Sequence, residues 1–212
     1  LAAGFFISLF VGGLYVAVTG EDDVSLGLTV VSLIGQWTGL LGAVLLASRR
    51  KGSGDLAHDF GLRVEPADIG LGVLAGVVGQ LVVVPLLYLP LDLLGFDFDV
   101  SEEARDVLDR ASGPGLALLA VCIVIVAPIA EELFFRGLLL RAAERRFGGG
   151  PAVAVSAVVF GLTHFQPLQL MGLVAFGVVL GVLARRSGRL GSALVAHVAF
   201  NATTVALLVA SR

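Results

Sequence analysis

Seven residues that could take part in chemistry stand in apolar surroundings in this sequence. An ionisable side chain at membrane depth costs roughly 3 kcal/mol on insertion scales, so its presence there indicates function. Each of three short motifs contains two of these residues four positions apart, which places both on one face of a helix. The seven are Glu131, Glu132, Arg136, Phe160, His164, His197 and Asn201.

Together these side chains could activate a water molecule and stabilise an oxyanion. Glu131 in a desolvated pocket can act as a general base on water, and His164 can orient that water or share its proton. His197 and Asn201 can donate hydrogen bonds to a tetrahedral oxyanion, a contribution of about 3 kcal/mol per donor. The sequence has no Gly-x-Ser-x-Gly motif, and its one cysteine, Cys122, lies in an apolar stretch. Nothing indicates a serine or cysteine nucleophile.

Helical geometry separates the two glutamates. Glu132 and Arg136 have the favourable spacing for an ion pair within a helix, whereas Glu131 points about 100° away from its neighbour. We therefore predict a structural role for Glu132 with Arg136 and a chemical role for Glu131. Pro128 precedes the pair and predicts a kink or a locally unwound turn.

Each motif also has a simpler interpretation. The charges that begin at Glu131 fit a helix end whose side chains extend into water. His164, beside a Gln-Pro turn, fits an ordinary interfacial residue. His197 and Asn201 fit polar adhesion between membrane helices. Taken singly, the motifs leave both interpretations open, and it is their combination on three segments that favours catalysis.

Composition indicates an integral membrane protein. Of the 212 residues, 57% are hydrophobic and only 15% are charged, and the mean hydropathy is +0.98; soluble domains have about a quarter of their residues charged. The net charge of −3, without a concentrated basic face, argues against nucleic-acid binding. Long stretches contain no Asp, Glu, Lys or Arg, and about 20 apolar residues span the hydrocarbon core. These stretches are 4–19, 24–48, 69–91, 113–130, 147–184 and 190–211.

The expected fold is all-α, a polytopic bundle of about seven or eight transmembrane helices, because only helices satisfy the backbone in these continuous apolar runs. Basic clusters follow the second, fourth and sixth segments, which places those loops in the cytoplasm. The opposite loops are acidic, at 21–23 and 92–110. The N-terminus is then inside and the C-terminus outside, unless a further helix precedes Leu1. The seven predicted segments are 4–19, 24–48, 69–91, 113–140, 150–165, 167–184 and 190–210.

The remaining sequence fits one membrane domain over residues 1–212, with its catalytic part at about 113–205. A short helix is predicted within 97–112, and 28 glycines favour close packing of helices. The expected location is a prokaryotic plasma membrane.

The three motifs together resemble those of the CAAX-protease and bacteriocin-processing (CPBP, or Abi) intramembrane proteases, which include the type II CAAX prenyl endopeptidases. That family's motifs are Glu-Glu-x-x-x-Arg, Phe-x-x-x-His and His-x-x-x-Asn. Each motif is weak alone, whereas the ordered set is specific. Here they stand at Glu131 to Arg136, Phe160 to His164, and His197 to Asn201.

The resemblance implies a membrane-embedded catalytic cavity in which Glu131 and His164 activate water while His197 and Asn201 form the oxyanion hole. Glu132, Arg136 and Phe160 would support these residues. Water activation without a metal is favoured, although Glu131, His164 and His197 could hold zinc through three protein ligands. Membrane lipids and a membrane-associated, in some relatives prenylated, protein or peptide are the expected partners.

Two other functions fit the same features. A non-catalytic membrane protein, such as a bacteriocin immunity factor or a scaffold, would need only the packing and the polar contacts. A transporter could use the same residues to relay protons. Transporters often contain paired broken helices in an internal repeat, and Pro128 has no clear counterpart in the other half of the chain.

Overall fold

In its described parts the chain consists of nine helices and no strand. The computed structural model describes residues 1–20, 25–96 and 101–212, apart from the side chain of Glu103. The all-α fold expected from the sequence is confirmed. In chain order the helices are α1 (Ala2–Thr19), α2 (Leu26–Lys51), α3 (Leu56–Phe60), α4 (Pro66–Leu93), α5 (Glu102–Asp109), α6 (Gly113–Phe147), α7 (Gly149–Leu162), α8 (Leu170–Ser187) and α9 (Gly191–Ala210).

Among the described residues, six helices are long and apolar enough to cross a membrane: α1, α2, α4, α6, α8 and α9. The protein is therefore an integral, multi-pass membrane protein. The predicted fifth crossing is wrong in length, because α7 has only 14 residues. At the standard rise it extends about 21 Å, which is less than the roughly 30 Å of a hydrocarbon core.

The chain turns back after α7 for local reasons. Phe165 has a left-handed φ of 54°, which a helix cannot accommodate. Pro167 follows two residues later and disfavours helical geometry at the residue before it. Residues 163–169 consequently form a turn where the predicted segments 150–165 and 167–184 meet, and His164 lies on this turn.

Other helix ends follow their local signals. The Ser25 hydroxyl accepts a hydrogen bond from the Leu28 N–H at the start of α2, as an N-cap does. Pro66 occupies the first turn of α4, where a missing N–H has no cost. The short helix predicted within 97–112 is present as α5. Residues 97–100 of that stretch and the acidic residues 21–23 lie outside the described part of the chain.

The distortion predicted at Pro128 is present in α6 as a wider, π-helical turn at Cys122–Val126. Here the Ala127 N–H bonds to the Cys122 carbonyl, five residues back. With this five-residue spacing, the carbonyl of Ile123 would accept a hydrogen bond from the N–H of residue 128. Because proline has no N–H, Ile123 receives no such bond within its own helix.

Glycines bring the helices close together, as the sequence predicted. A Cβ atom on Gly39 of α2 would collide with Gly4 of α1, and one on Gly76 of α4 would collide with the Ala196 carbonyl of α9. The interior lies among α6, α7, α8 and α9, where Leu180 and Ala193 are fully buried. Large apolar side chains such as Phe10 of α1 are exposed and available to lipid.

The three basic clusters lie at one end of the bundle. Arg141 donates hydrogen bonds to the carbonyls of Asp59 at 3.3 Å and Gly188 at 3.0 Å. Arg185 bonds to Glu144 at 2.8 Å. The loops after α2, α6 and α8 are thus neighbours, as the alternating charge pattern requires, and we call this side the basic end.

Candidate active site

The ion pair predicted within α6 is confirmed and is fully buried. Nη1 of Arg136 donates to Oε1 of Glu132 at 2.7 Å, and the two side chains are 0% and 1% exposed. Nη2 of Arg136 donates to the carbonyl of Gly177 on α8 at 3.2 Å. Burying two charges is favourable only when they are well paired. The pair therefore fixes α6 against α8 in one arrangement.

His197 of α9 lies between the two glutamates. Its Nδ1 is 2.9 Å from Oε1 of Glu132, and its Nε2 is 3.7 Å from Oε2 of Glu131. A carboxylate that is paired with arginine can only accept, so Nδ1 of His197 carries the hydrogen. Nε2 is consequently the atom that His197 presents to Glu131.

Glu131 has no hydrogen-bond partner among the described contacts, and its side chain is 12% exposed. It lies 16 residues before Phe147, or about 24 Å from the end of α6 at the standard rise. The turn that carries His164 begins about 21 Å from the same end, where α7 ends. The two side chains therefore lie at similar depths below the basic end.

His164 has its tautomer fixed by its own helix end. Nδ1 is 2.9 Å from the carbonyl oxygen of Phe160, which can only accept, so Nδ1 donates. In the neutral imidazole, Nε2 is then an acceptor. This arrangement leaves Nε2 able to receive a hydrogen bond from water.

Phe160 connects three of the candidate residues. Its ring packs edge-on against the imidazole of His164 at a centroid distance of 4.7 Å and against that of His197 at 5.7 Å. The guanidinium of Arg136 lies over the same ring at 4.4 Å, within the range of a cation–π contact. Phe160 is 1% exposed, so it acts as a rigid spacer between the two histidines.

Asn201 joins α9 to the distorted part of α6. Its Nδ2 donates to the carbonyl of Ile123 at 2.9 Å. This is the carbonyl that Pro128 leaves without a helical donor, so the amide restores the missing hydrogen bond. This bond uses one of the two Nδ2 hydrogens, so the other can be donated to a second acceptor.

Sequence reasoning missed three further contributors. The backbone carbonyls of Ile123 and Gly177 accept hydrogen bonds from Asn201 and Arg136, and the ring of Phe176 packs edge-on against His197 at 5.9 Å. The only available signal was the spacing of five between Ile123 and Pro128. Phe176 and Gly177 lie in a featureless apolar segment and carried no signal.

Metal binding was the open alternative for Glu131, His164 and His197. Within the described residues, no three or more His, Cys, Asp or Glu side chains are grouped in a way that could hold a metal ion. A zinc site built from these three residues would require their side chains to rearrange.

A cleft opens beside the His164 turn. It lies between α1, α2 and this turn, encloses about 370 Å³ and is mostly apolar. Thr163 and Phe165, the neighbours of His164, line one side, and the ring of Phe165 packs against that of Phe5 at 5.4 Å. The cleft also contains the polar side chain of Gln36.

Comparisons with known proteins found similarity to membrane peptidases. A relative, Putative membrane peptidase YdiL of Bacillus subtilis (strain 168), is 29% identical over 105 residues, which is 50% of this chain and 42% of the relative. The matching region thus spans less than half the length of that protein. No solved structure matches. Residues 113–203 match the family described as "Type II CAAX prenyl endopeptidase Rce1-like", which confirms the resemblance to CAAX-type intramembrane proteases that the three motifs indicated.

Proposed function

We propose that this protein is an intramembrane endopeptidase of the CAAX prenyl protease type that hydrolyses a peptide bond with water activated by a glutamate. The family match over residues 113–203 supports a membrane peptidase. The observation that carries the finer proposal is the position of His197, with Nδ1 on Glu132 and Nε2 facing Glu131 at 3.7 Å.

In the proposed first step, Glu131 accepts a proton from water while Nε2 of His164 accepts the water's other hydrogen bond. The water oxygen forms a bond to the carbonyl carbon of the substrate, and the carbonyl electrons move onto its oxygen. His197 Nε2, when protonated, and the second Nδ2 hydrogen of Asn201 donate to this oxyanion. Glu131 then delivers its proton to the amide nitrogen as the carbon–nitrogen bond breaks.

Glu132 and Arg136 are positioning residues in this scheme. Glu132 accepts the hydrogen of His197 Nδ1 and so orients the ring, much as a carboxylate orients histidine in a catalytic triad. Arg136 fixes Glu132 and balances its charge in the membrane interior.

The proposed substrate is a membrane-associated protein or peptide. The apolar cleft beside His164 lies between α1, α2 and the turn. It would accommodate an apolar segment of a substrate next to His164. A prenylated C-terminus is one substrate that the family description suggests.

The test is proteolysis by the purified protein in liposomes, with prenylated CAAX peptides and a library of membrane peptides. We expect Glu131→Gln to lower turnover about 10²- to 10⁴-fold, the usual contribution of a general base. Glu102→Gln, on an exposed position of α5, is the control and should cleave normally. A metal chelator in parallel should leave cleavage intact, and full activity of Glu131→Gln would reject the proposal.

A non-catalytic binding protein is the second candidate, favoured by the bond between Asn201 and the Ile123 carbonyl. That bond serves packing whether or not catalysis occurs. Under this alternative Glu131→Gln would preserve the biological effect of the protein, such as immunity to a peptide, and no cleavage would be measured.

A further inference from the structure

A second cavity lies at the basic end, away from the candidate active site. It is formed between α2, the loop that follows it, α3 and the last turns of α6, and it encloses about 860 Å³. We call it the basic cleft. Its cationic side chains are Arg50, Lys51, Arg141 and Arg145, and Asp59 is the carboxylate among its lining residues.

Among the described residues, the carboxylate of Asp59 makes no ion pair with any of these four cations. It accepts hydrogen bonds from the Ser48 hydroxyl, from the N–H and hydroxyl of Ser53, and from the Gly54 N–H. Its oxygens are thus committed to the loop after α2.

The cations themselves differ from those of the neighbouring cluster. Arg185 is paired with Glu144 at 2.8 Å, and Arg189 is paired with Asp68 at 2.9 Å. No such pair involves Arg50, Lys51 or Arg145 in the described part of the chain. If these basic residues served only to set the membrane topology, there would be no reason for one group to be paired with carboxylates and the other not. The cleft therefore holds four cationic side chains against one carboxylate, so its charge is net positive.

The cleft is also amphipathic. Its wall below the cations consists of apolar positions on α2 and α6, among them Leu46, Ala47 and Leu138. Leu46 is 50% exposed. These positions precede Arg50 and Arg141 on helices that cross the membrane, so the apolar wall continues from the basic end into the hydrocarbon core.

We infer that the basic cleft binds one anionic glycerophospholipid from the leaflet at the basic end. The lipid phosphate contacts Arg50, Lys51 and Arg145, and an acyl chain lies along Leu46, Ala47 and Leu138. Basic pockets between transmembrane helices are suited to such headgroups. A polybasic protein tail is repelled by the same charges, and free phosphate leaves the apolar wall without a contact.

The test is native mass spectrometry of the purified full chain, exchanged into micelles that contain equal amounts of phosphatidylglycerol and phosphatidylcholine. We expect one phosphatidylglycerol retained per chain. Each basic residue near an anionic headgroup changes affinity roughly fivefold, so Arg50→Gln/Arg145→Gln should weaken retention about 30-fold.

The matched control is Arg49→Gln/Arg186→Gln, which removes the same charge at exposed positions outside the cleft. We expect its lipid retention to equal that of the parent protein, and gel filtration to show that both double variants are folded. Equal weakening by the two double variants would overturn the inference, because only the surface potential would then attract lipid. Glycerophosphoglycerol, the headgroup without acyl chains, is added at the same concentration as the lipid. If it displaces the lipid, the cleft binds a soluble anion and the inference is overturned.

Discussion

Oε1 of Glu132 is shared by two partners: it lies 2.9 Å from Nδ1 of His197 and 2.7 Å from Nη1 of Arg136. One carboxylate oxygen thereby links the first and third motifs, which are 65 residues apart in sequence. The catalytic candidate Glu131 contacts His197 from the other side of the ring. Glu132 is thus the residue that sets the orientation of His197.

Arg136→Ala should destabilise the protein by about 3 to 5 kcal/mol, because it leaves Glu132 buried and without its counter-charge. Thermal unfolding in detergent measures this effect. Arg186→Ala, at an exposed position, is the control and should change stability by less than about 0.5 kcal/mol. An unaltered melting temperature for Arg136→Ala would contradict the structural role of the pair.

Glu132→Gln/Arg136→Met should recover much of the stability lost in Arg136→Ala, because no uncompensated charge remains at this position. Turnover should stay low, because His197 has lost the carboxylate that orients it. Comparison of kcat with KM tests this positioning role, and we expect the loss in kcat. Normal turnover in the double variant would show that His197 needs no anionic partner.

Asn201→Ala should have two separable effects. Loss of the bond to the Ile123 carbonyl should destabilise the protein by about 1 to 3 kcal/mol. Loss of an oxyanion donor should also lower kcat about 10²- to 10³-fold with little change in KM. Thr203→Val is the control, because the Thr203 hydroxyl bonds to the Ala199 carbonyl of its own helix. Lower stability with unchanged kcat would restrict Asn201 to packing.

Asp59 should keep the loop after α2 ordered at acidic pH. Hydrogen bonds from the Ser48 hydroxyl and the Ser53 N–H hold the pKa of Asp59 well below its usual range. A group with a lowered folded-state pKa stabilises the protein above its unfolded pKa and loses that contribution as pH falls through the folded pKa. The backbone amides of residues 52–55 should therefore stay protected against hydrogen exchange from neutral pH to below about pH 4, where an ordinary aspartate is protonated.

Hydrogen–deuterium exchange of residues 52–55 measures this protection. Asp59→Asn should raise exchange there at neutral pH, because the carboxylate acceptor is lost. Asp55→Asn is a suitable control, since Asp55 accepts from the Ala57 and His58 N–H groups at the start of α3. Equal exchange in Asp59→Asn and the parent protein would contradict the role of Asp59.

Features that depend on local geometry could be predicted from the sequence. Continuous apolar runs require membrane helices, and a spacing of four places Glu132 beside Arg136 in any helix. The missing N–H of Pro128 similarly predicted a disturbed turn in α6. The three motifs could be recognised because their residues are close in sequence.

Contacts between atoms of different helices could be read only from the folded protein. A helical wheel separates Glu131 from Glu132 by about 100°, but it does not show which of them faces Nδ1 of His197. That depends on the close approach of α4 and α9 at Gly76 and on the π-helical turns of α6, which change the rotation of residues along it. The contact of Asn201 with Ile123 has the same origin. Such contacts depend on how several helices pack at once, and no spacing within one helix specifies them.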